Sequence, residues 1–255
     1  MPSPLSCGLV WFRRDLRAHD HPALLHALRE CAQVHCVFVF DEDILARLPR
    51  ADRRVRCFRE RLYQLSQPSR PPSHHAHAGL IVLHACARAA VPELAQRLDV
   101  QAVYAGRDDE PAALERDAHV RTALAQQGRE LRLFKDHTVF ERSELLTQAG
   151  TPYTVFTPYK HAWLREISEY FLSPYAVPDG QGNLAPCPPW AQAGVPSLTA
   201  IGFGPSEELA LKVPSGTSGG RALWQDFAAR IDTYDRARNF PAVKGPSYLG
   251  VHLRF

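Results

Sequence analysis

With 45% apolar and 22% charged residues over 255 positions, and a net charge of only +3, this chain has enough hydrophobic content for a folded core and no single-sign charge excess that would keep it disordered. Its six cysteines, Cys7, Cys31, Cys36, Cys57, Cys86 and Cys187, form no Cys-x-x-Cys pair and have no histidines at zinc-ligand spacing, which points to reduced thiols and away from a disulfide or zinc scaffold. Charge arrives at Arg13 with no signal-peptide core before it, and no apolar run approaches the ~20 residues that cross a bilayer, so a soluble, cytoplasmic protein with no membrane partner is expected.

Residues 9–12 are a short apolar run suited to a strand covered on both faces, and Pro22 opens a helix over 22–30, where its missing N–H is not needed. Between them, Arg13, Arg14, Asp15, Arg17 and Asp20 fall at the carboxyl end of the strand, the edge where open parallel sheets bind ligands. On pattern alone, an Arg and Asp network that pins the loop is the favoured reading. Residues 34–40, ending at the acidic turn Asp41, Glu42 and Asp43, predict a second strand. Residues 80–83 and 102–105 predict two more, separated by a helix with Val91, Leu94, Ala95 and Leu98 at helical spacing and room for Pro92 only in its first turn. Pro111 starts the next helix, Gly128 stops it, and 131–134 is the fifth strand. This alternation predicts an α/β fold with an open five-stranded parallel sheet, Rossmann-like, with right-handed crossovers. The proline-rich stretch 67–77 reads as a surface loop, and its His74, His75 and His77 as solvated side chains with no metal.

From 136 to 220 prolines and glycines accumulate, as in a long connector. One helix interrupts it, from Pro158 to about Tyr170, with Tyr159, Trp163, Ile167 and Tyr170 forming a stripe that docks on the first domain. Ser218 is placed to cap a last long helix carrying Leu223, Phe227, Ile231 and Tyr234 on one face, and a further helical turn is expected from Pro246. From Gly219 onward six basic residues face three acids, which suits a phosphate-bearing partner but falls short of a nucleic-acid footprint. No Gly-x-Gly-x-x-Gly, no Gly-Lys-Ser/Thr loop and no Gly-x-Ser-x-Gly elbow occurs, so the hard chemistry falls to a cofactor held elsewhere, and no catalytic side chain is named.

Three stretches then stand together: Trp11-Phe12-Arg13-Arg14-Asp15-Leu16-Arg17; Val155-Phe156-Thr157-Pro158-Tyr159-Lys160-His161-Ala162-Trp163-Leu164; and Tyr234-Asp235-Arg236-Ala237-Arg238-Asn239-Phe240-Pro241-Ala242-Val243-Lys244-Gly245. In this order and at this spacing they resemble the DNA photolyase and cryptochrome family, class I photolyase-like, over most of the chain. Family members continue past the position of Phe255 for about as long again, so the chain is expected to be a truncated N-terminal half. The resemblance implies a photolyase-type α/β antenna domain over 1–135, an interdomain connector with one helix over 136–218, and over 219–255 the first helices of an incomplete all-α FAD-binding domain. It implies light-driven repair of cyclobutane pyrimidine dimers by electron transfer from reduced FAD, the activity of a deoxyribodipyrimidine photo-lyase. FAD is the implied cofactor, a folate or deazaflavin antenna a second one, damaged DNA the partner, and the full-length parent a monomer.

Carried over by residue, the resemblance makes Tyr234 a contact to the flavin phosphates and Arg238 a contact to the DNA backbone, roles that suit a phenol donor and a guanidinium. Ser247 and Leu249 match the family's phosphate loop, while Pro246 and Gly250 depart from it and remove hydroxyl and N–H donors. The Asn-Glu pair that clasps a folate antenna in some members is matched by Ala112 and Ala113, so no antenna residue is named. Trp11, Trp163, Trp190 and Trp224 match none of the family's electron-relaying tryptophans and read as core or connector residues. Two other readings remain open: a cryptochrome-type blue-light signalling flavoprotein and a non-catalytic α/β binding module. The 255 residues alone are not expected to repair dimers.

Overall fold

Runs of Val, Leu, Phe and Ala, each closed by a charged or proline-opened turn, become the five strands of one parallel sheet in the computed structural model, which describes residues 5–66, 79–177, 182–191, 194–204, 213–214 and 216–254. The histidine loop around His74, His75 and His77 lies outside the described residues. In chain order the elements of the first half are β1 (Leu5–Phe12), α1 (Pro22–Glu30), β2 (Cys31–Asp41), α2 (Glu42–Leu45), α3 (Arg53–Ser66), β3 (Leu80–Ala85), α4 (Ala87–Arg97), β4 (Ala102–Gly106), α5 (Pro111–Gln126) and β5 (Glu130–Phe134). The strands lie in the order β3-β2-β1-β4-β5, all parallel, so the order reverses between β1 and β4. The sequence places all five strands, with ends moved by up to four residues at β1.

Alternation along β1 builds both layers of the core. Val10 and Phe12 face α1 and α3 with Leu24, Phe38 and Leu62, while Leu9 and Trp11 face α4 and α5 with Val91, Val120 and Leu124. The first half of β2 precedes the start of β3, which joins only at Cys36, and the connector covers that gap. Leu184 bridges Val34, with the Val34 N–H donating to Asn183 O at 2.8 Å and the Ala185 N–H to Val34 O at 2.8 Å. All six cysteines are free; burial pushes the Cys36 thiol up to about 12 and the Cys7 thiol up to about 11.

Four sequence expectations are corrected. Pro92 lies inside α4 and not in its first turn, because the helix already begins at Ala87 with the Ala89 and Ala90 N–H groups on the Cys86 carbonyl, and the buried ring of Pro92 packs in the core. The connector helix is two: α6 (Phe156–Glu166) and α7 (Glu169–Leu172), broken where Ile167 and Ser168 turn extended. Its stripe does not dock as a whole. Trp163 and Phe171 gather around Phe140, at 5.9 and 4.8 Å between ring centroids, while Tyr170 is 82% exposed. The last long helix, α8 (Gly216–Ala228), starts ahead of Ser218, which is therefore no cap; it ends before Ile231, which sits in a short 3-10 turn that leads into α9 (Tyr234–Ala237). The final turn, α10 (Gly250–Arg254), begins four residues after Pro246. Among the described residues, no helix is long and apolar enough to cross a membrane.

Candidate functional site: a cavity at the strand ends and an exposed helical corner

The charged turn after β1 is a buried ion-pair network, as its pattern suggested. Arg13, 7% exposed, grips Asp117 of α5 with both terminal nitrogens, at 2.9 and 2.8 Å, and donates to Gly106 O of β4 at 3.1 Å. Burial opposes the Arg13 charge, and Asp117 sustains it. The Arg13 N–H donates to Asp15 Oδ1 at 2.6 Å, and Asp15 Oδ2 meets His21 Nε2 at 2.9 Å with both side chains fully buried. His21 Nδ1 accepts from the Leu24 N–H at 3.1 Å and so caps α1, which leaves Nε2 to carry the proton toward Asp15. Burial alone would raise the Asp15 carboxyl; His21, the Arg13 N–H and Arg17 outweigh it and hold the group well below the usual carboxylate range. Arg17 extends the network to Asp136, just past β5.

This network forms one wall of a cavity of about 490 Å3 at the carboxyl ends of β1 and β2, within the usual range for a small-molecule site. Trp11, Phe38, Phe40 and Phe58 supply flat apolar surface, and Arg14, Arg47, Arg54, Arg88 and Arg116 line its walls. The Trp11 ring lies 4.0 Å from the Arg13 guanidinium and 5.1 Å from that of Arg116. Arg14 pairs with Asp108 at 2.8 Å and Glu110 at 3.1 Å, and Arg88 with Asp43 at 2.9 Å. Arg116 lies 3.5 Å from Asp117 and 3.9 Å from Asp41, and its Nε and Nη2, with Nε of Arg14, are buried without a hydrogen-bond partner among the described residues. Such donors are costly unless a ligand oxygen or water completes them. Ala112 and Ala113 also line the cavity, where their small side chains contribute space.

Asp41, Asp43 and Cys86 bring candidate metal-ligand atoms within 4.8 Å of one another at the same edge. Asp41 accepts N–H groups of Asp43 and Ala87 at the starts of α2 and α4, and Asp43 accepts from Cys86 and Arg88, so the cluster is explained by its own hydrogen bonds. The cavity was not named from the sequence. Its signal was the coincidence of Trp11, Phe38 and Phe40 at strand ends with arginines spread over four separate segments, and only the strand order brings these together.

The residues singled out in the sequence lie elsewhere, at the corner made by α8, α9 and the following loop. Arg230 folds that loop back by donating to the carbonyls of Lys244, Gly245 and Pro246 at 2.5, 2.7 and 2.8 Å. Gly245 is needed there, since a Cβ would lie 2.7 Å from the Ala237 carbonyl. Tyr234 packs edge-on against Phe227 at 5.5 Å and is 38% exposed; the Arg238 guanidinium sits 5.7 Å from its ring and is also exposed. Ser247 and Leu249 are half-buried, and the Ser247 hydroxyl accepts the Leu249 N–H at 3.3 Å. The structure thus brings Tyr234 and Arg238 together, puts the loop of Ser247 and Leu249 beside their helix, and places none of the four in the cavity at the sheet edge.

The family model described as DNA photolyase matches residues 8–179. The deoxyribodipyrimidine photo-lyase of Synechococcus sp. (strain PCC 6301) is 31% identical over 253 residues, covering 97% of this chain and 50% of that protein. Among solved structures, a bacterial class III photolyase from Agrobacterium tumefaciens matches with a TM-score of 0.77 at 25% identity, over 99% of this chain and 51% of the other. An archaeal photolyase from Sulfolobus tokodaii, solved with two FAD molecules that implied a novel light-harvesting cofactor, shares the fold with a TM-score of 0.74 at 22% identity, over 97% of this chain and 51% of its own. The chain therefore spans about half the length of the curated photo-lyases it matches.

Proposed function

The chain belongs to the DNA photolyase family, and from that premise we propose that it is the light-harvesting half of a light-driven pyrimidine-dimer lyase. Residues 1–135 are the antenna domain, 136–218 the connector and 219–255 the first helices of the FAD-binding domain. In this reading bound FAD, reduced and excited by light, supplies the electron that splits the dimer and recovers it afterwards. Tyr234 offers its phenol to the flavin phosphates, with Ser247 and Leu249 shaping the loop beside it. Arg238 holds a backbone phosphate of the damaged strand. Exposure of Tyr234 and Arg238 in this chain suits groups that meet their ligands at the junction with further helices.

The observation that carries the antenna assignment is the cavity beside Trp11, with the guanidinium side chains of Arg14, Arg47, Arg54, Arg88 and Arg116 in its wall. A planar, oxygen-bearing chromophore of the folate, deazaflavin or flavin class fits both the flat apolar surface and those donors. Trp11 and Phe38 would shield such a ring from water, and Arg116 would hold its oxygens. The two FAD molecules of the Sulfolobus tokodaii relative support a flavin-sized occupant. Fluorescence titration of the chain with FMN, a reduced folate and a deazaflavin tests this: one of them binds saturably, and Arg116→Leu weakens it at least about tenfold. If none binds, or if Arg116→Leu changes nothing, the assignment fails. Given dimer-containing DNA, reduced FAD and blue light, the 255 residues alone give no dimer loss above free flavin. A light response without repair in the complete protein would favour the signalling reading.

A further inference from the structure

The positive charge of this protein is not spread over its surface. Seven arginines and only two acids, Asp52 and Glu60, fall within residues 47–61; the remainder of the chain holds 23 basic and 25 acidic residues, so without this segment the protein would not be cationic. Both acids are engaged, Asp52 with Arg54 at 2.6 Å and Glu60 with Arg56 at 2.9 Å. Arg50 donates to Gly202 O at 2.9 Å, Arg59 to Pro196 O at 3.0 Å and Arg61 to Leu16 O at 2.9 Å, neutral acceptors that fix the guanidinium groups without cancelling their charge. The side chains of Arg47 and Arg53 are exposed and make no hydrogen bond or ion pair among the described residues, although Arg47 is near enough to Asp43 to help hold that carboxyl down. Arg53 also stands in the first turn of α3, where the helix dipole favours an acid and where folding gains nothing from a cation.

We propose that residues 47–61, centred on exposed Arg47, Arg50, Arg53 and Arg54, form a docking surface for the sugar-phosphate backbone of duplex DNA, separate from the corner at Arg238 and adjoining the strand-end cavity, which Arg47 and Arg54 also line. The surroundings of the arginines select this partner. Residues 46–54 expose alanines, a proline and arginines, and the large apolar side chains exposed nearby, Ile44 and Tyr63, stand singly at either end of the segment, whereas a protein interface or a membrane surface needs a cluster of aromatic or aliphatic anchors. Exposed guanidinium groups, some anchored like Arg50 and others free like Arg47 and Arg53, on a small-residue surface match what backbone recognition requires: positive charge, bidentate donors and no base contact. Such a surface adds affinity for any duplex and contributes nothing to lesion choice, so it serves to hold the protein on DNA while damage is sought.

The test uses the 255-residue chain with undamaged duplex DNA in the dark, so its outcome depends on no flavin, lesion or repair. Fluorescence anisotropy across about 50 to 250 mM salt yields affinity and salt slope. The R47E/R53E double variant is expected to bind at least about tenfold more weakly at low salt, with a slope reduced by about 2, whereas R47K/R53K stays within about threefold of the unaltered chain. R29E/R121E, the same charge change on exposed arginines of α1 and α5, is the control and stays within about threefold. Circular dichroism establishes that each variant is folded; if R47E/R53E does not fold, Arg47→Ser and Arg53→Ser are read singly with a slope change of about 1 each. Equal losses in R47E/R53E and R29E/R121E, or no binding by the unaltered chain at 50 mM salt, would overturn the proposal. So would vesicles with about 30% anionic lipid that bind through the same two arginines while DNA does not.

Discussion

The sheet edge and the helical corner are built on opposite plans. At the edge, charged groups are buried and answered within the fold: Arg13 by Asp117, Asp15 by His21, Arg17 by Asp136. At the corner, Tyr234 and Arg238 stand exposed, and the loop is held by hydrogen bonds from Arg230 to backbone carbonyls and by the Lys244–Asp226 ion pair at 2.8 Å. The first plan makes a cavity whose shape depends on the fold's own stability. The second leaves reactive surface that contributes little to stability and gains meaning only from what it touches. If the difference is real, substitutions should damage folding at the edge and spare it at the corner.

The largest effect is expected from Asp117→Ala. Removing one partner of a buried bidentate pair strands the Arg13 charge, at a cost of about 3–5 kcal/mol. Urea unfolding measures it, and a loss under about 1 kcal/mol would mean that the pair is far wetter than its burial indicates. The cavity should suffer with the fold, since Arg13 is also packed on Trp11.

The Asp15–His21 pair gives a pH test of the same plan. The folded carboxyl titrates well below its unfolded value near 3.9, so the stability it contributes is present in full above about pH 4–5 and is lost as pH falls through the folded pKa. About 1 kcal/mol of acid sensitivity is expected between pH 7 and pH 3, and Asp15→Asn should flatten that limb of the profile while lowering stability at pH 7. Thermal melts from pH 3 to pH 7 make the measurement. A profile for Asp15→Asn parallel to that of the unaltered chain would place the acid sensitivity elsewhere.

These expectations show what was readable in advance. The sheet was legible because each strand is a local pattern, an apolar run ended by a turn, and a parallel α/β order follows from alternation. The network was legible in outline because Arg13, Arg14, Asp15 and Arg17 are contiguous, but Asp117 and Asp136 come from distant segments that only the strand order brings to β1. The cavity failed to register for the same reason. Helix ends were misplaced where tertiary packing overrode propensity, as at Pro92, buried inside α4, and at Ile167, whose extended backbone splits the connector helix. The corner was found through motif resemblance alone, since an exposed tyrosine and arginine carry no periodic signal.

At the corner, Arg230→Ala should cost only about 1 kcal/mol in global unfolding, because the bonds it removes are partly exposed and water replaces them. Its local effect is larger. Lys244 to Leu249 lose the contacts that fold them back, so limited proteolysis should cut between 244 and 249 several times faster while the sheet stays intact. Cleavage at an unchanged rate would show that packing of Gly245 against Ala237 and the Lys244–Asp226 ion pair hold the loop without Arg230.

The smallest effect on folding is expected at Tyr234, and it separates the two plans most cleanly. Its ring contacts Phe227 edge-on and sits near Arg238, contacts worth roughly 0.5–1.5 kcal/mol together at a partly exposed site. Phe227, 8% exposed in the same cluster, fills space that nothing else can occupy, so Phe227→Ala should cost about 3 kcal/mol. Tyr234→Ala is expected near 1 kcal/mol, and Tyr234→Phe, which keeps the ring and deletes only an outward phenol, near zero. A structural tyrosine would behave like Phe227, losing stability when the ring is removed, and a hydroxyl bonded within the fold would also register in Tyr234→Phe. If Tyr234→Phe leaves the melt unchanged yet lowers FAD affinity in a full-length chain that completes the flavin cavity, the phenol is there for a ligand and the corner is functional surface. If Tyr234→Phe unfolds the corner, the hydroxyl belongs to the fold, and the contrast between edge and corner is lost.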